Sequence, residues 1–269
     1  MKKLLSLLLA LALVFSLAAC SSKTDDTTTD DTQGDANAES VDLVVFAAAS
    51  MTETLTQIAE MYKEVAPNVN ITYNFDSSGK LLTQISEGAD CDLFISAAPK
   101  QMNAMDGSLI GDTEKNPNGL DLIVTDSRID LLENKVTLAV PEGNPKGIES
   151  FDQLAELLKS GDVMLAIGNS DVPVGQYTQK IFAYYEIDEA AIAEKLTYGS
   201  NVKEVTTAVS EGTVDCGIIY ASDAYSAGLT VAAEATADMC SQVIYTRRCA
   251  EHLRPAGGRR CVPGLPQER

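Results

Sequence analysis

An α/β fold built on largely parallel sheets is the class this sequence predicts, and two observations carry the prediction. From Val41 onward short apolar runs alternate with segments whose apolar residues recur at three-and-four spacing, the order produced when strands are joined through helices. Runs such as "LVVFAAA" and "GIIYA" are apolar without alternation, as strands covered on both faces require.

Each element can be taken in turn. "VDLVVFAAA" (41–49) reads as a strand, and Leu55, Ile58, Ala59 and Tyr62 then form a helical stripe. "VNITYNF" is a strand, "KLLTQISEG" a helix, "CDLFISA" a strand and "PKQMNAM" a short helix opened by Pro99. The second half repeats the pattern: "KVTLAVP" strand, "SFDQLAELLKSG" helix, "VMLAIG" strand, "PVGQYTQKIFAYY" helix, "VKEVTTAVSEG" helix and "CGIIYAS" strand. Turn residues in "VPEGNPKG" (140–147) suggest a lobe boundary just after "KVTLAV". About 200 residues remain for the folded part, enough for one large lobe or two small ones.

The amino terminus has its own logic. Lys2 and Lys3 precede a Leu-rich run from Leu4 to Ala19, shorter than a membrane span and ending in "LAAC", so residues 1–19 read as a secretory signal cleaved before Cys20. That ending resembles the bacterial lipoprotein signal, which implies a lipid on Cys20 and an anchor on the extracytoplasmic face of the membrane. Residues 21–40 hold no large apolar side chain and cannot repay the entropy of ordering, so 20–40 is expected to be an acidic tether. Cys91, Cys216 and Cys240 lie far apart without metal-ligand spacing, and Cys91 and Cys216 each open an apolar run, which suits buried core thiols.

The formal charge of −19 argues against nucleic acid, whose affinity rests on Lys and Arg neutralising phosphates. "SSGK" lacks the full phosphate-loop pattern, neither "FAAAS" nor "YGSN" is a nucleophile elbow, and the single histidine lies near the carboxyl end. No acid and base pair assembles, so no enzyme is expected. What the sequence offers instead is four helix starts at strand or loop ends. Ser50 with Glu53 has capping-box spacing, hydroxyls and a glycine stand in "DSSGKLL", Pro173 comes after "NSDV", and Asn201 in "YGSNVKEV" is a cap. Helix starts present unpaired N–H groups and the positive dipole end, and in open parallel sheets they sit beside the strand ends where ligands bind. A small oxyanion is the expected ligand.

"VVFAAASMTETL", "FDSSGKLLTQI", "CDLFISAAPKQM", "GNSDVPVGQY" and "GIIYASDA", in that order, resemble successive blocks of the molybdate-binding protein of bacterial ABC importers, over roughly residues 41–245. The resemblance implies a two-lobed periplasmic-binding-protein fold, type II-like, each lobe a mostly parallel sheet flanked by helices. It places lobe 1 at 41–136 plus 238–245 and lobe 2 at 137–237. By position it implies that the hydroxyls of Ser50 and Ser78, the amides of Val174 and Val202 and the hydroxyl of Tyr220 hold molybdate, and tungstate with it, in the cleft, with neighbouring amides at Met51 and 77–79 assisting. The metal is then held only as its oxyanion, with no direct metal ligands and no cofactor. The implied partner is a membrane permease, and the protein is expected to act as a monomer. Sulfate is the alternative ligand, and an enzyme acting on a small anion the alternative class. Because amides only donate, an oxyanion that keeps a proton near neutral pH, such as phosphate, finds too few acceptors.

The carboxyl end breaks the composition. Six of the seven arginines and the only histidine fall between Arg247 and Arg269, which contain no lysine. An alternative to a basic, disordered arm is a reading-frame shift over 246–269. One nucleotide later, permissive codons read "PAVVLNTSDPQAAAAVFLDFLKS", which resembles the strand and helix that close the first lobe in the family. Such a helix buries four or five apolar side chains, roughly 6 to 15 kcal/mol at 1.5 to 3 kcal/mol each.

Overall fold

The computed structural model describes residues 40–124 and 127–249. The signal segment, Cys20, most of the tether and the tail from residue 250 onward therefore lie outside the described residues.

The chain opens with strand β1 (Val41–Ala48), a short 3-10 turn over Ala49–Met51 and helix α1 (Thr52–Val65). Strand β2 (Val69–Asp76), helix α2 (Ser78–Ser86), strand β3 (Leu93–Ser96) and helix α3 (Pro99–Asn103) come after them. Strand β4 (Ile129–Asn134) then runs almost directly into strand β5 (Val136–Val140). Helix α4 (Phe151–Ser160), strand β6 (Leu165–Gly168), helix α5 (Pro173–Tyr184), strand β7 (Leu196–Gly199) and helix α6 (Val202–Ser210) come next. Strand β8 (Cys216–Tyr220), helix α7 (Ala221–Ser226), strand β9 (Thr230–Glu234) and strand β10 (Val243–Cys249) complete the described chain.

Two five-stranded sheets result, ordered β2-β1-β3-β10-β4 and β7-β6-β8-β5-β9. Each has a parallel half and an antiparallel half. β1 pairs parallel with β2 and β3, whereas β10 runs antiparallel to β3 and β4. In the second sheet β6 pairs parallel with β7 and β8, and β5 is antiparallel to β8 and β9. The expectation of largely parallel sheets thus holds for the strand–helix–strand repeats and yields where β5 and β10 enter from the other lobe. The chain passes between sheets at Lys135 and again over 235–242. "KVTLAV" therefore belongs to the second sheet, and the first crossing precedes it rather than coming at 140–147. No tight turn is needed there, because Asn134 and Val136 are nearly continuous; the Gly- and Asn-rich stretch is a lobe-2 loop, with positive φ at Gly143, Asn144 and Gly147.

Burial explains the strands. Along β1, Val45 and Ala47 face one apolar cluster and Phe46 the other, so that sheet is covered on both sides. Phe46 packs with Leu81, Ile85, Phe94, Met102 and Met105, the outer core of the first lobe. The larger cluster runs from Val45 and Ala47 through Leu138, Leu165 and Ile218 to Tyr220 and Tyr245. Cys91 and Cys216 are wholly buried free thiols, and burial pushes each up to about 12, as inert core residues should be.

Helix starts obey the cap chemistry in three cases. Ser77 Oγ accepts from Lys80 N–H, Ser150 Oγ from Gln153 N–H and Asn201 Oδ1 from Glu204 N–H. At α1 the expectation fails. Ser50 lies inside the 3-10 turn that precedes the helix, Met51 is the cap residue without a side-chain bond, and Glu53 turns to Lys203 instead. The extra turn moves the helix start past the hydroxyl that the spacing selects. β4, β7 and β9 carry no strand signal in the sequence; all three are sheet edges, short or largely exposed, and lack the apolar runs that mark interior strands. Strand β10 also continues through Thr246–Cys249, into the arginine-rich stretch, between β3 and β4.

Candidate functional site

The carboxyl ends of β1, β2 and β3 face those of β6 and β8 across a cleft. Ala48, Ala49, Ser50, Ser77, Ser78 and Ala97 form one wall, and Val172, Pro173, Val202 and Tyr220 the other, of a small, tightly closed cleft that is partly open to solvent. No charged side chain is among these lining residues. Three helices begin here, α2 at Ser78, α5 at Pro173 and α6 at Val202, so unpaired first-turn amides and positive dipole ends converge on the cleft.

Close packing holds the amides there. The alanines at the end of β1 and at the start of the turn after it are 0 to 6 % exposed and keep the first wall thin. A Cβ on Gly175 would collide with the carbonyls of Gly168 and Asn169, so only glycine lets the first turn of α5 lie against the end of β6. Gly79, in the first turn of α2, meets the backbone of Asp171 from the other lobe in the same way.

The hydroxyls are arranged to donate. Ser78 Oγ accepts from Ala97 N–H at 3.1 Å, which leaves its own hydrogen for another partner. Ser50 Oγ lies 2.6 Å from Tyr245 Oη. Tyr220 is 1 % exposed, and its hydroxyl has no hydrogen-bond partner. Burial holds that phenol well above its ordinary range, so it remains a neutral O–H donor. Its ring packs edge-on against Tyr177 and Tyr245 at centroid distances of 6.4 and 6.0 Å.

Of the five residues picked out from the sequence, Ser50, Ser78, Val202 and Tyr220 meet in one wall-to-wall cleft. Val174 does not line it directly; fully buried, it is the second residue of α5, behind Pro173 and within the same unpaired first turn. Sequence reasoning missed Tyr245 and Asn134, which stand behind the lining, and it named Gly79 for its amide alone and not for its packing against Asp171 of the other lobe. Outside the lining, Lys80 Nζ donates to Ser200 Oγ across the lobes at 2.8 Å. Lys203 Nζ reaches Glu53 Oε2 at 2.7 Å and the buried Asp223 at 3.2 Å. Among the described residues no cluster of His, Cys, Asp and Glu is arranged to hold a metal ion.

The family described as bacterial extracellular solute-binding protein matches residues 43–247. The chain belongs to that family. It is 31 % identical over 246 residues to YvgL of Bacillus subtilis, described as a candidate ABC transporter substrate-binding lipoprotein, covering 91 % of this chain and 85 % of that one. It is 34 % identical over 227 residues to the molybdate-binding protein ModA of Mycobacterium tuberculosis, covering 83 % and 76 %. Among solved structures, the periplasmic molybdate-binding protein of Azotobacter vinelandii superposes with a TM-score of 0.62 at 18 % identity, over 78 % of this chain and 85 % of that one, a likeness of fold. Family membership makes this an extracytoplasmic binder of a solute, and its two-lobed architecture is that of its relatives.

Proposed function

We propose that the protein captures molybdate, and tungstate with it, in this cleft and delivers the ion to the membrane permease of an ABC importer. The hydroxyls of Ser50, Ser78 and Tyr220 and the first-turn amides of Val174 and Val202 are the donors. The observation that carries the reading is the Tyr220 hydroxyl. It is buried in the cleft wall without a partner, a state that costs about 1 to 3 kcal/mol unless a ligand accepts from it. Hydrogen bonds to a charged group are worth roughly 1.5 to 3 kcal/mol each, so five of them offset the desolvation of a dianion without help from Lys or Arg. The overall charge of −19 is no obstacle, since screening acts over about 8 Å at physiological salt and local dipoles govern a closed cleft.

The donor set suits a tetrahedral anion with no proton of its own, and on this reading the protein holds its ligand and hands it on unchanged. A lipid on Cys20 and the tether to residue 40 would keep the monomer at the outer membrane surface, close to the permease. Among the described residues no helix is long and apolar enough to cross a membrane. Thermal melts test the reading. Molybdate and tungstate at 100 times Kd raise stability by about 2.7 kcal/mol, whereas sulfate at equal concentration leaves the melt unchanged. The absence of any shift with molybdate and tungstate would overturn the assignment, and an equal shift with sulfate would reassign the ligand.

A further inference from the structure

Behind Ser50 stands a chain of polar side chains, Asn134 and Tyr245, and the amide at its far end orders the hydrogens along it. Asn134, the last residue of β4, accepts the N–H of Lys135 on its Oδ1 at 2.9 Å. Its amide nitrogen therefore faces Ser222 Oγ at 2.9 Å and Tyr245 Oη at 3.3 Å. A side-chain NH₂ only donates, so the Tyr245 oxygen is an acceptor from that side and its one hydrogen is left for Ser50. Ser50 Oγ, 2.6 Å away, takes that hydrogen and must send its own elsewhere, and the remaining open direction is the cleft it lines. Tyr245 is fully buried, so no bulk water competes for either bond.

We propose that Asn134 and Tyr245 are positioning residues that fix Ser50 as a hydrogen-bond donor and thereby help restrict the cleft to oxyanions that carry no proton. The proposal rests on the binding function assigned above. Ser78 is set the same way by Ala97 N–H, and the Tyr220 O–H has no partner within the protein, so Ser50, Ser78 and Tyr220 each keep a hydrogen for the ligand. A monoprotonated tetrahedral anion such as hydrogenphosphate would turn its own O–H toward a donor. A Ser50 that turned its hydrogen to Tyr245 would face that O–H with lone pairs alone, and the relay through Tyr245 opposes the turn. Polarisation along the row also strengthens the final donor.

Titration calorimetry at pH 7 with molybdate and with phosphate decides the matter, using wild type, Tyr245→Phe, Ser50→Ala, their double variant, and Asn134→Asp. Wild type is expected to bind molybdate and not phosphate. Tyr245→Phe weakens molybdate roughly tenfold, and adding it to Ser50→Ala has no further effect, because the residue acts through Ser50. Asn134→Asp replaces a donor by an acceptor, draws the Tyr245 hydrogen toward itself and lets Ser50 present a lone pair. Molybdate then weakens on the order of a hundredfold while phosphate binding becomes measurable. The same change in the Tyr245→Phe background separates the relay from the added negative charge: there the molybdate-to-phosphate ratio should not move.

Additive losses for Ser50→Ala and Tyr245→Phe, or an Asn134→Asp ratio that changes equally with and without Tyr245, would overturn the relay. The Ser50 and Tyr245 pair decides the proposal alone if Asn134→Asp does not fold. A wild-type protein that binds neither molybdate nor tungstate would instead defeat the function on which the relay depends.

Discussion

Gly79→Ala tests whether binding depends on closure of the two lobes. A Cβ at this position would lie 3.0 Å from the carbonyl carbon of Asp171 and 3.2 Å from its Cβ, with the carbonyl oxygen nearer still. Favourable carbon contacts begin at about 3.5 Å, and the obstacle is backbone of the opposite lobe, which no rotamer change relieves. The lobes must therefore part by on the order of 1 Å at the cleft. A ligand seated on Ser50 and Ser78 would then stand beyond hydrogen-bond reach of the amides and hydroxyl of the second wall. Losing two of those three donors, at roughly 1.5 to 3 kcal/mol each, gives about 3 to 6 kcal/mol before water makes up part of the deficit. An increase in Kd of at least a hundredfold is expected, about 2.7 kcal/mol. Gly79 sits in the first turn of α2 without positive φ, where alanine is the better helix former by up to about 1 kcal/mol, so the unliganded protein should melt no lower than wild type. Titration calorimetry with molybdate beside ligand-free melts separates the two effects. A Kd within threefold of wild type would refute the argument that the cleft must close this far, and a large drop in the ligand-free melt would show that Gly79 serves the fold of its own lobe.

Other perturbations bear on different parts of the structure. Tyr220→Phe removes a buried unpaired hydroxyl, so the ligand-free protein is expected to gain up to about 1 to 3 kcal/mol while molybdate binding weakens tenfold or more; a variant that loses stability and keeps its affinity contradicts the role of that hydroxyl. Asp223 is raised by burial from 3.8 to about 6, with Lys203 opposing and Glu53 reinforcing the shift. A raised acid contributes stability below its unfolded value and loses it as pH rises through about 6, roughly 3 kcal/mol in all, so Asp223→Asn should melt higher than wild type at pH 7.5 and no higher at pH 4; parallel pH profiles of the two proteins would refute this. For the carboxyl end, resequencing is expected to reveal an extra base near codon 246, and a clean in-frame read removes the reading-frame proposal. A chain given the shifted ending should melt well above this one, since Thr246 Oγ1 and Arg248 Nε are buried here without partners; an unchanged melt would mean that the ending adds no core.

How much of this was legible in the sequence differs by layer. Interior strands are plain in it because burial on both faces forces uninterrupted apolar runs, as in β1 and β8. Edge strands carry no such demand. β4 is exposed along most of its length and has no uninterrupted apolar run, and β7 is only four residues long. β10 is hidden for another reason. Its arginines deny it the composition of a central strand, yet Val243 and Tyr245 are buried and Arg248 is held against Asp106 at 2.9 Å beneath the surface. The ion pair satisfies one end of the guanidinium and leaves Nε without a partner, the kind of compromise expected where a side chain is larger and more polar than its site.

The site divides along a different line. Groups that touch the cleft are recoverable because each sits at a chain feature with a local signature: a hydroxyl where a strand ends, a proline or cap residue where a helix begins. Tyr245 has no such signature, because its role depends on pairing across the sheet and on the crossing at Lys135, which brings Asn134 beneath it. Ser50 carries both kinds of information at once. Its spacing to Glu53 fits a capping box, and a helix that began one turn earlier would have consumed the hydroxyl on its own backbone. The 3-10 turn instead leaves Ser50 outside α1, where Tyr245 rather than the helix decides which way its hydrogen points. The same serine in the same sequence context therefore caps a helix or faces the cleft according to a contact 195 positions away, and only the folded chain chooses between them.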